Sequence, residues 1–226
     1  MTTTQQVAVI SGGMGGIGRA IAKRLAEDGL RVAVLYHRST AKDADTFVQT
    51  LLGQGHAAFS CDITDPEQTR HVLALVHASF GSVDVCVHAA VAPLVRAKAA
   101  VIDPQSFKEQ FDVTMFGGLN FFQAVIPFLL EQKSGHIIGI TTAALDTETP
   151  SGMAGYFCSK YALRGLLREL SLELPSTIRV DEITPGFVPT KLHADLPEVV
   201  RTFIVERTPV QTPESVADEV SRHIRA

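Results

Sequence analysis

The sequence predicts an α/β fold with a doubly wound parallel sheet of about six strands and helices on both of its faces. Short apolar, β-branched runs alternate with longer amphipathic segments, which is typical of βαβ units around a parallel sheet. The 226 residues, of which 46% are hydrophobic, can bury one substantial core. We therefore expect a single domain over residues 1–226.

The predicted strands are short, and the predicted helices lie between them. Strands are expected in the segments QVAVIS, RVAVLY, HAAFSC, VDVCVHA, GHIIGIT and TIRVDEI. Helices are expected over about residues 16–28, 40–54, 65–80, 104–133, 153–174, 196–207 and 213–225. Two helix starts are marked by an aspartate followed by a proline, at Asp65–Pro66 and Asp103–Pro104, which suits an N-cap and the first helical position.

Composition and charge exclude several classes of function. The net charge is −4 and no block of lysines or arginines occurs, so we expect neither a nucleic acid nor a membrane as partner, but a small soluble ligand. Cys61, Cys86 and Cys158 are widely spaced and odd in number, which predicts reduced thiols in or near the core, with no disulfide framework and no metal site. The first ten residues hold only a short apolar run, so the protein is expected to be cytoplasmic.

A glycine-rich loop follows the first predicted strand directly and opens the first predicted helix. It reads SGGMGGIGRAIAKRLAEDG, from Ser11 to Gly29. Gly12, Gly16 and Gly18 allow a tight turn, close approach of the backbone to a diphosphate, and close packing of helix on strand. The helix N-terminus adds free N–H groups and a positive dipole end. This arrangement predicts a dinucleotide site in a Rossmann-type fold.

The spacing G-x-x-x-G-x-G resembles the loop of the short-chain dehydrogenase/reductase family, with Ser11 in place of the family's threonine. The resemblance continues along essentially the whole chain. In CDITD, Asp62 and Ile63 match a pair that touches the adenine in this family. In YFCSK, Tyr156 and Lys160 match the catalytic Tyr-x-x-x-Lys, a spacing that puts both side chains on one face of a helix.

A further segment, PGFVPT, resembles the part of the family that closes over the nicotinamide end of the cofactor; Pro185, Gly186 and Thr190 match it. From the loop, these motifs and the neighbouring strand ends, we expect a set of cofactor-binding residues. They are Ser11, Gly12, Gly16, Ile17, Gly18, His37, Arg38, Asp62, Ile63, His88, Ala89, Lys160, Pro185, Gly186, Val188 and Thr190.

The end of the second predicted strand indicates NADP (NADPH) as the cofactor. An acidic residue at this place would bind the ribose 2′-hydroxyl and repel a 2′-phosphate, but the chain reads LYHRS. Arg38, with His37, can neutralise a phosphate. The alternative is that Arg38 is a solvated loop residue. Gly15 occupies the loop position where many NADP-using members of the family carry a basic residue, so the second usual signal is absent.

Two departures from the family lie beside the predicted cofactor site. The family's Asn-Asn-Ala-Gly after the fourth strand is replaced by HAAV, from His88 to Val91. We expect His88 to hydrogen-bond neighbouring backbone in place of the missing asparagine, although its ordinary pKa also suits an acid–base group. Val91 replaces a glycine and is expected to reshape the nicotinamide side.

Two more departures concern the catalytic residues that the resemblance implies. Thr114 stands where the family has a catalytic asparagine, and it offers a hydroxyl but no amide, which puts the family's water relay in doubt. Thr142 stands in place of the catalytic serine and can still donate to a carbonyl oxygen; its neighbour Thr141 is the competing candidate. With Tyr156 and Lys160, Thr142 and Thr114 complete the expected catalytic set.

The end of the sequence also differs from the family. It resembles the approach to the family's last helix, but the final strand that is usual there is missing. Tetramers of the family often pair across that strand. We therefore expect a homodimer, formed through the apolar helices near residues 104–133 and 153–174.

The resemblance implies hydride transfer between nicotinamide C4 and a carbonyl carbon. Tyr156 would protonate the nascent alkoxide, Lys160 would favour the phenolate and hold the nicotinamide ribose, and Thr142 would orient the carbonyl oxygen. The predicted function is an NADP-dependent reductase of a small ketone or aldehyde, resembling 3-oxoacyl reductases. The alternative is a dinucleotide-binding protein with impaired or lost chemistry, acting as a sensor or partner subunit. Retention of both Tyr156 and Lys160 argues against that alternative.

Overall fold

The computed structural model describes residues 5–225. Six strands form one parallel sheet in the order β3-β2-β1-β4-β5-β6. The strands are β1 (Val7–Ser11), β2 (Arg31–Tyr36), β3 (Ala57–Ser60), β4 (Val85–His88), β5 (Gly135–Ile140) and β6 (Ile178–Ile183). Strands β1 to β3 extend the sheet in one direction and β4 to β6 in the other, which confirms the predicted doubly wound fold. The strand order reverses between β1 and β4.

Eight α-helices connect and cover the strands within the described residues. They are α1 (Gly16–Glu27), α2 (Ala41–Val48), α3 (Pro66–Phe80), α4 (Pro104–Phe111), α5 (Gly117–Gln132), α6 (Ala154–Glu173), α7 (Glu198–Val205) and α8 (Pro213–Arg225). Asp65 caps α3 by accepting from the N–H groups of Glu67 and Gln68, and Asp103 caps α4 by accepting from Ser106, so both predicted helix starts are confirmed.

The sheet separates two apolar clusters because successive side chains of each strand point to opposite faces. In β1, Val7 and Val9 belong to one cluster, whereas Ala8 and Ile10 belong to the other. Helices α3, α5 and α6 cover the first face, and α1, α2 and α8 cover the second. Because all the strands are parallel, their carboxyl ends lie at one edge of the sheet. The candidate site described below lies at this edge.

Three predicted features differ in the structure. The predicted helix 40–54 ends at Val48, because the chain then turns and passes through Gly53 and Gly55, which both have positive φ. The predicted helix 104–133 is interrupted by a π turn at Asp112–Phe116, between α4 and α5. Two short 3₁₀ turns, Ala143–Asp146 and Lys191–His193, follow β5 and β6 and have no counterpart in the prediction.

By length and composition alone, residues 104–132 could cross a membrane. The reason for this apolar composition is found in the fold. Phe121, Phe122, Val125 and Leu129 of α5 are fully buried in the cluster under the first face of the sheet. The segment is thus a core helix.

The last described helix closes the second face of the sheet. Helix α8 packs on α1, and Arg24 of α1 makes ion pairs with Asp28 and with Asp218 of α8. The Ser221 hydroxyl donates to Asp28. Strand β6 is an edge strand, because no strand follows it within residues 5–225.

Candidate active site

The loop between β1 and α1 leaves room for a diphosphate because its glycines lack side chains. Gly12 has a φ of +67°, and a Cβ there would lie 2.6 Å from the backbone of Ala90. A Cβ at Gly16 would lie 2.6 Å from the methyl group of Thr190, and one at Gly18 would overlap the carbonyl oxygen of Gly12. These three positions therefore require glycine.

The N-terminus of α1 adds an electrostatic preference to this loop. Its N-cap residue, Gly15, makes no side-chain capping hydrogen bond, and the first turn contains no acidic residue. The N–H groups of the turn and the positive end of the helix dipole are therefore available to an anion.

A cavity of about 540 Å³ extends from this loop across the carboxyl ends of the neighbouring strands. It lies beside the point where the strand order reverses, which is where open α/β sheets bind their ligands. Of the predicted cofactor-binding residues, the following line it: Gly12, His37, Arg38, Asp62, Ile63 and Ala89. We call it the nucleotide cavity. Its glycine cradle and free N–H groups fit the adenosine and diphosphate parts of a nicotinamide dinucleotide.

The ribose end of the nucleotide cavity holds charges of both signs. His37 and Arg38 line it at the end of β2, where no carboxylate is present. Asp62, at the end of β3, brings one carboxylate into the same cavity, with Oδ2 3.7 Å from His37 Nε2. Burial raises the pKa of Asp62, but hydrogen bonds from Thr64 and the charges of His37 and Arg38 together bring it below its ordinary value. Asp62 is thus ionised at neutral pH and partly neutralises this end of the cavity.

His88 has the structural role that was expected for it. The ring is fully buried at the end of β4, with Nε2 3.0 Å from the carbonyl oxygen of Thr114 and Nδ1 2.7 Å from the hydroxyl of Ser11. Burial, with a smaller effect of the Lys160 charge, lowers the pKa of His88 to about 3, so the ring is neutral. A carbonyl can only accept, so Nε2 carries the proton and Nδ1 accepts from Ser11.

Thr114 lies at the centre of the π turn and lines neither of the two cavities of the site. Its carbonyl is bound by His88, and its buried hydroxyl has no hydrogen-bond partner among residues 5–225. Buried hydroxyls usually find a partner, and exceptions often mark a place for an ordered water or a catalytic group. Thr114 therefore differs from the other three predicted catalytic residues in being set back from the cavity walls.

The other three predicted catalytic residues come together beyond the end of β5. The Thr142 hydroxyl lies on the Tyr156 side of a cavity that both residues line, and it accepts from the N–H of Ala144 at 3.3 Å. Lys160 is on the next turn of α6, with Nζ 6.0 Å from the centre of the Tyr156 ring and 2.6 Å from the carbonyl oxygen of Ile140. Tyr156 and Lys160 are both buried.

Burial has opposite effects on these two ionisable groups, because it disfavours the charged form of each. Burial raises the pKa of Tyr156 to about 12, and the hydrogen bond with Thr142 offsets part of this effect. Burial lowers the pKa of Lys160 to about 8, and the carboxylate of Glu182 opposes it. At neutral pH the phenol is therefore protonated and the amine is mostly an ammonium.

Tyr156, Thr142 and Lys160 line a second cavity, of about 70 Å³, which we call the catalytic cavity. The segment 187–208, which we call the lid, forms part of its wall. Of the predicted cofactor-binding residues, the following also line it: Ile17, Ala89, Pro185, Gly186, Val188 and Thr190. Val91 lines both cavities, so it lies where one passes into the other. The remaining predicted residues, Ser11, Gly16, Gly18 and His88, line neither cavity.

The chain matches the sequence model described as short chain dehydrogenase over residues 6–200. It belongs to the short-chain dehydrogenase/reductase family. The 3-oxoacyl-[acyl-carrier-protein] reductase FabG of Staphylococcus epidermidis is 31% identical over 211 residues, which are 90% of this chain and 84% of that protein. This short-chain dehydrogenase is thus an NAD(P)-dependent oxidoreductase.

Solved structures share the fold of this short-chain dehydrogenase. The crystal structure of gox2181 superimposes with a TM-score of 0.87 at 28% identity and covers 96% of this chain and 88% of its own. Ligand-free aldohexose dehydrogenase of Thermoplasma acidophilum gives a TM-score of 0.80 at 22% identity, with coverage of 96% and 86%. The overall fold is therefore that of the family.

Some residues of the catalytic cavity are not predictable from the motifs of this short-chain dehydrogenase. Its apolar wall includes Met153, Phe157, Phe187, Leu192 and Ile204. These residues lie at helix starts and in the lid, and their common signal is only an apolar side chain. His193 of the lid also lines the cavity; it donates from Nδ1 to the carbonyl of Val188 at 2.8 Å.

The competing threonine has another environment. The Thr141 hydroxyl donates to Glu182 of β6 and lies 3.4 Å from the carbonyl of Ile183, so it is Thr142 that faces Tyr156.

Among the cysteines, Cys61 and Cys86 are buried, but Cys158 on α6 is exposed, so its predicted place in or near the core was wrong. The described residues contain no group of three or more histidine, cysteine, aspartate or glutamate side chains that could hold a metal ion.

Proposed function

We propose that the protein is an NADP-dependent reductase of small ketones or aldehydes, able to oxidise the corresponding alcohols in reverse. The observation that carries the proposal is the meeting of Tyr156, Thr142 and Lys160 at one buried cavity, directly beside the nucleotide cavity. A proton donor, a hydroxyl that orients and a cation are the groups that reduction of a carbonyl requires next to a hydride source. When bound, the nicotinamide dinucleotide would supply the hydride.

The three side chains have separable tasks in this proposal. The phenol of Tyr156, kept protonated by burial, donates its proton to the substrate oxygen. The ammonium of Lys160 stabilises the phenolate that remains. It uses one N–H for the carbonyl of Ile140, and its other two are available for a ribose hydroxyl. Thr142 accepts from the N–H of Ala144, so its own proton can be directed to the Tyr156 oxygen or to the substrate oxygen.

Thr114 is assigned to the inner end of the proton path in the same proposal. Its hydroxyl is buried and without a partner among residues 5–225, so it has both a donor and an acceptor to offer to an ordered water. It lacks the amide that the family has at this position. The hydroxyl can pass a proton but cannot hold a water through separate NH₂ and carbonyl groups.

The preference for NADP is supported by the pair of basic side chains at the ribose end of the nucleotide cavity. Arg38 and His37 line the cavity, and the end of β2 has no carboxylate to bind a 2′-hydroxyl or repel a 2′-phosphate. Asp62 opposes the preference with one negative charge near His37. Two donors of Thr64 occupy one oxygen of that carboxylate: Asp62 Oδ1 accepts from the Thr64 N–H at 3.0 Å and from the Thr64 hydroxyl at 2.7 Å.

The lining of the catalytic cavity supports a small neutral substrate. Apart from Lys160 and His193, its walls are apolar or carry hydroxyls, so a carboxylate or phosphate on the substrate would find no further cation. The S. epidermidis relative is named for reduction of a 3-oxoacyl group. An apolar chain next to the reacting carbonyl is compatible with the wall formed by Met153, Phe157 and Phe187.

The remaining parts of the proposal concern the state of the protein. We propose a cytoplasmic homodimer of single-domain chains, spanning residues 1–226, without nucleic acid or membrane partners. The dimer would form through α4, the π turn, α5 and α6, where Phe116 of the π turn and Tyr161 and Leu172 of α6 are large and exposed. Contacts between α1 and α8 support a single domain, since they join the two ends of the described chain.

The experiment is oxidation of NADPH, followed by absorbance, with a panel of ketones and aldehydes that includes a 3-oxoacyl thioester. Tyr156→Phe keeps the ring but removes the donor, so turnover should fall by at least ~100-fold while NADPH still binds. Cys158→Ser is the matched control, because Cys158 is on the same turn of α6 but exposed. Full activity of Tyr156→Phe would overturn the mechanism. NADPH binding without turnover of any carbonyl would favour the alternative, a dinucleotide-binding protein that has lost its chemistry.

A further inference from the structure

Behind the catalytic cavity, one arginine joins three elements of the fold. Arg164 lies on α6, one turn after Lys160. Its Nε donates to Glu182 Oε1 of β6 at 2.7 Å. Its two terminal nitrogens donate to the two carboxylate oxygens of Asp146, at 2.7 and 2.9 Å. Asp146 ends the 3₁₀ turn that begins immediately after Thr142.

The 3₁₀ turn is also held by a second side chain of α6. The Tyr161 hydroxyl donates to the carbonyl of Leu145 at 2.5 Å. Before the turn, the Thr141 hydroxyl donates to Glu182. The carboxylate of Glu182 therefore binds both Arg164 and Thr141, which is the residue before Thr142. Thr142 and the turn that follows it are thus fixed to α6, which carries Tyr156, and to strand β6.

We propose that Arg164 is a positioning residue, which sets the Thr142 hydroxyl against the Tyr156 phenol by clamping Asp146 and Glu182. The inference rests on the proposed function and extends it to residues that touch neither substrate nor cofactor. Arg164, Asp146 and Glu182 are called the clamp below. Fork geometry is essential to it, because only a guanidinium can bind one carboxylate with two parallel N–H groups and a second carboxylate with a third.

Exposure separates this role from a contribution to stability. The side chain of Asp146 is 64% exposed and that of Arg164 25%, and ion pairs at such surfaces contribute little to folding. The effect on turnover can be much larger, because a shift of about 1 Å in a catalytic group can reduce turnover by ~100-fold. The clamp should therefore be visible in turnover before it is visible in the melting temperature.

Glu182 gives the clamp a second effect, through charge. Lys160 is faced by Tyr156 on its own helix, by Glu182 from β6 and by the neutral ring of His88 from β4. Of these, only the Glu182 carboxylate raises the pKa of Lys160 against the effect of burial. Removing this carboxylate should make Lys160 lose its proton at a lower pH.

The first test compares Arg164→Lys with Arg24→Lys. Arg24 also binds two carboxylates, Asp28 and Asp218, and its side chain is 28% exposed, but it joins α1 to α8 away from the catalytic cavity. Arg164→Lys should lower kcat by about 10-fold, because a lysine cannot hold both anchors of the clamp. The KM for the carbonyl, the affinity for NADPH and the melting temperature should stay close to those of the wild type. Arg24→Lys should leave kcat unchanged.

Hydrogen exchange supplies a readout that does not depend on turnover. The peptide that covers residues 141–147 should exchange faster in Arg164→Lys than in the wild type, and at the wild-type rate in Arg24→Lys. Glu182→Gln keeps an acceptor for Thr141 and Arg164 but removes the charge. It should move the alkaline fall of kcat to lower pH while leaving the exchange of this peptide nearly unchanged.

Three outcomes would overturn the clamp. One is a wild-type kcat with wild-type exchange in Arg164→Lys. Another is a loss of kcat that follows the melting temperature in both arginine variants. The third is a loss that appears wholly as weaker NADPH binding. Failure of the proposed function is a distinct result: it would be seen as inactive wild-type protein or fully active Tyr156→Phe, whereas failure of the clamp leaves both of these as expected.

Discussion

The imidazole of His88 donates to the main-chain carbonyl of Thr114 at 3.0 Å, so one buried hydrogen bond joins the end of β4 to the π turn. The other ring nitrogen accepts from the hydroxyl of Ser11 at the end of β1. A neutral histidine therefore ties together the strand that leads into the glycine loop, the next strand of the sheet and the helix above them.

This burial predicts a pH dependence of stability. The pKa of His88 is about 3 in the folded protein and 6.5 for the free side chain, so only the unfolded chain binds the proton between these values. Stability should accordingly fall as the pH falls below 6.5, with a slope from His88 of at most about 1.4 kcal/mol per pH unit. The pKa values of buried His136 and half-buried His193 are also lowered, chiefly by burial, and these two residues contribute in the same direction.

The comparison with His88→Asn isolates the effect of His88. The variant should be less stable at pH 7, by about 1–3 kcal/mol, because a shorter amide cannot keep both hydrogen bonds. The difference in free energy of unfolding between the two proteins should decrease as the pH is lowered. Only the wild type contains a histidine that must stay neutral in the folded state, so only the wild type loses stability through His88. Denaturant unfolding at pH 7, 6 and 5 measures this, and parallel curves would mean that His88 is not neutral in the folded protein.

The ribose end of the nucleotide cavity predicts how cofactor choice will respond to mutation. Arg38→Ala should weaken NADPH binding by about 10-fold or more, the usual effect of losing a hydrogen bond between charged groups, and leave NADH nearly unaffected. Arg70→Ala, which removes an exposed arginine of α3, serves as the control. Dissociation constants follow from the nucleotide fluorescence. Equal affinity of the wild type for both cofactors, or equal weakening of both by Arg38→Ala, would contradict the NADP preference.

The unpaired hydroxyl of Thr114 predicts a conflict between stability and turnover. Thr114→Val keeps the shape but removes a buried polar group that has no partner among residues 5–225, so the free energy of unfolding should rise by about 1 kcal/mol. Turnover should fall, because the hydroxyl is assigned to the proton path.

Thr69→Val is the matched control for that variant, since Thr69 is equally buried but its hydroxyl donates to the carbonyl of Asp65 at 2.8 Å. It should lose stability and keep turnover. If Thr114→Val loses as much stability as Thr69→Val, the Thr114 hydroxyl of the wild type has a hydrogen-bond partner in solution. If the turnover of Thr114→Val equals that of the wild type, Thr114 has no part in the proton path.

The exposed apolar side chains of α6 and the π turn predict the oligomeric state. Light scattering at micromolar concentration should give twice the chain mass of 24.3 kDa. Leu172→Glu, which places a charge on the proposed interface, should give the mass of one chain, whereas Leu75→Glu on α3 should not. A tetramer, or a wild-type monomer, would exclude the proposed dimer.

The sequence was most informative where local chemistry determines structure. Asp65 and Asp103, each followed by proline, marked two helix starts to within a residue, because capping depends on adjacent residues alone. The glycine loop was predictable for the same reason. The π turn was not, because His88, which binds its central carbonyl, is 26 residues away in sequence.

The clamp escaped prediction for a related reason. Arg164 is 18 residues from each of its partners, and the helix, the turn and the strand that carry the three residues meet only in the folded sheet. One signal was present: a glutamate next to an apolar residue at the end of a predicted strand, in VDEI, is an unusual place for a charge. The catalytic Tyr156 and Lys160, by contrast, share one helix, so their spacing alone brought them together.

The catalytic cavity is small compared with the substrates proposed for it. About 70 Å³ holds only a few water molecules, less than most carbonyl compounds occupy. We therefore expect substrate binding to displace the lid from the wall that includes Phe157. Thr190, where that segment of the chain passes the glycine loop, rests against Gly16, so outward movement also uncovers the diphosphate site. A displacement of the lid is thus expected to open the catalytic cavity and the diphosphate site together.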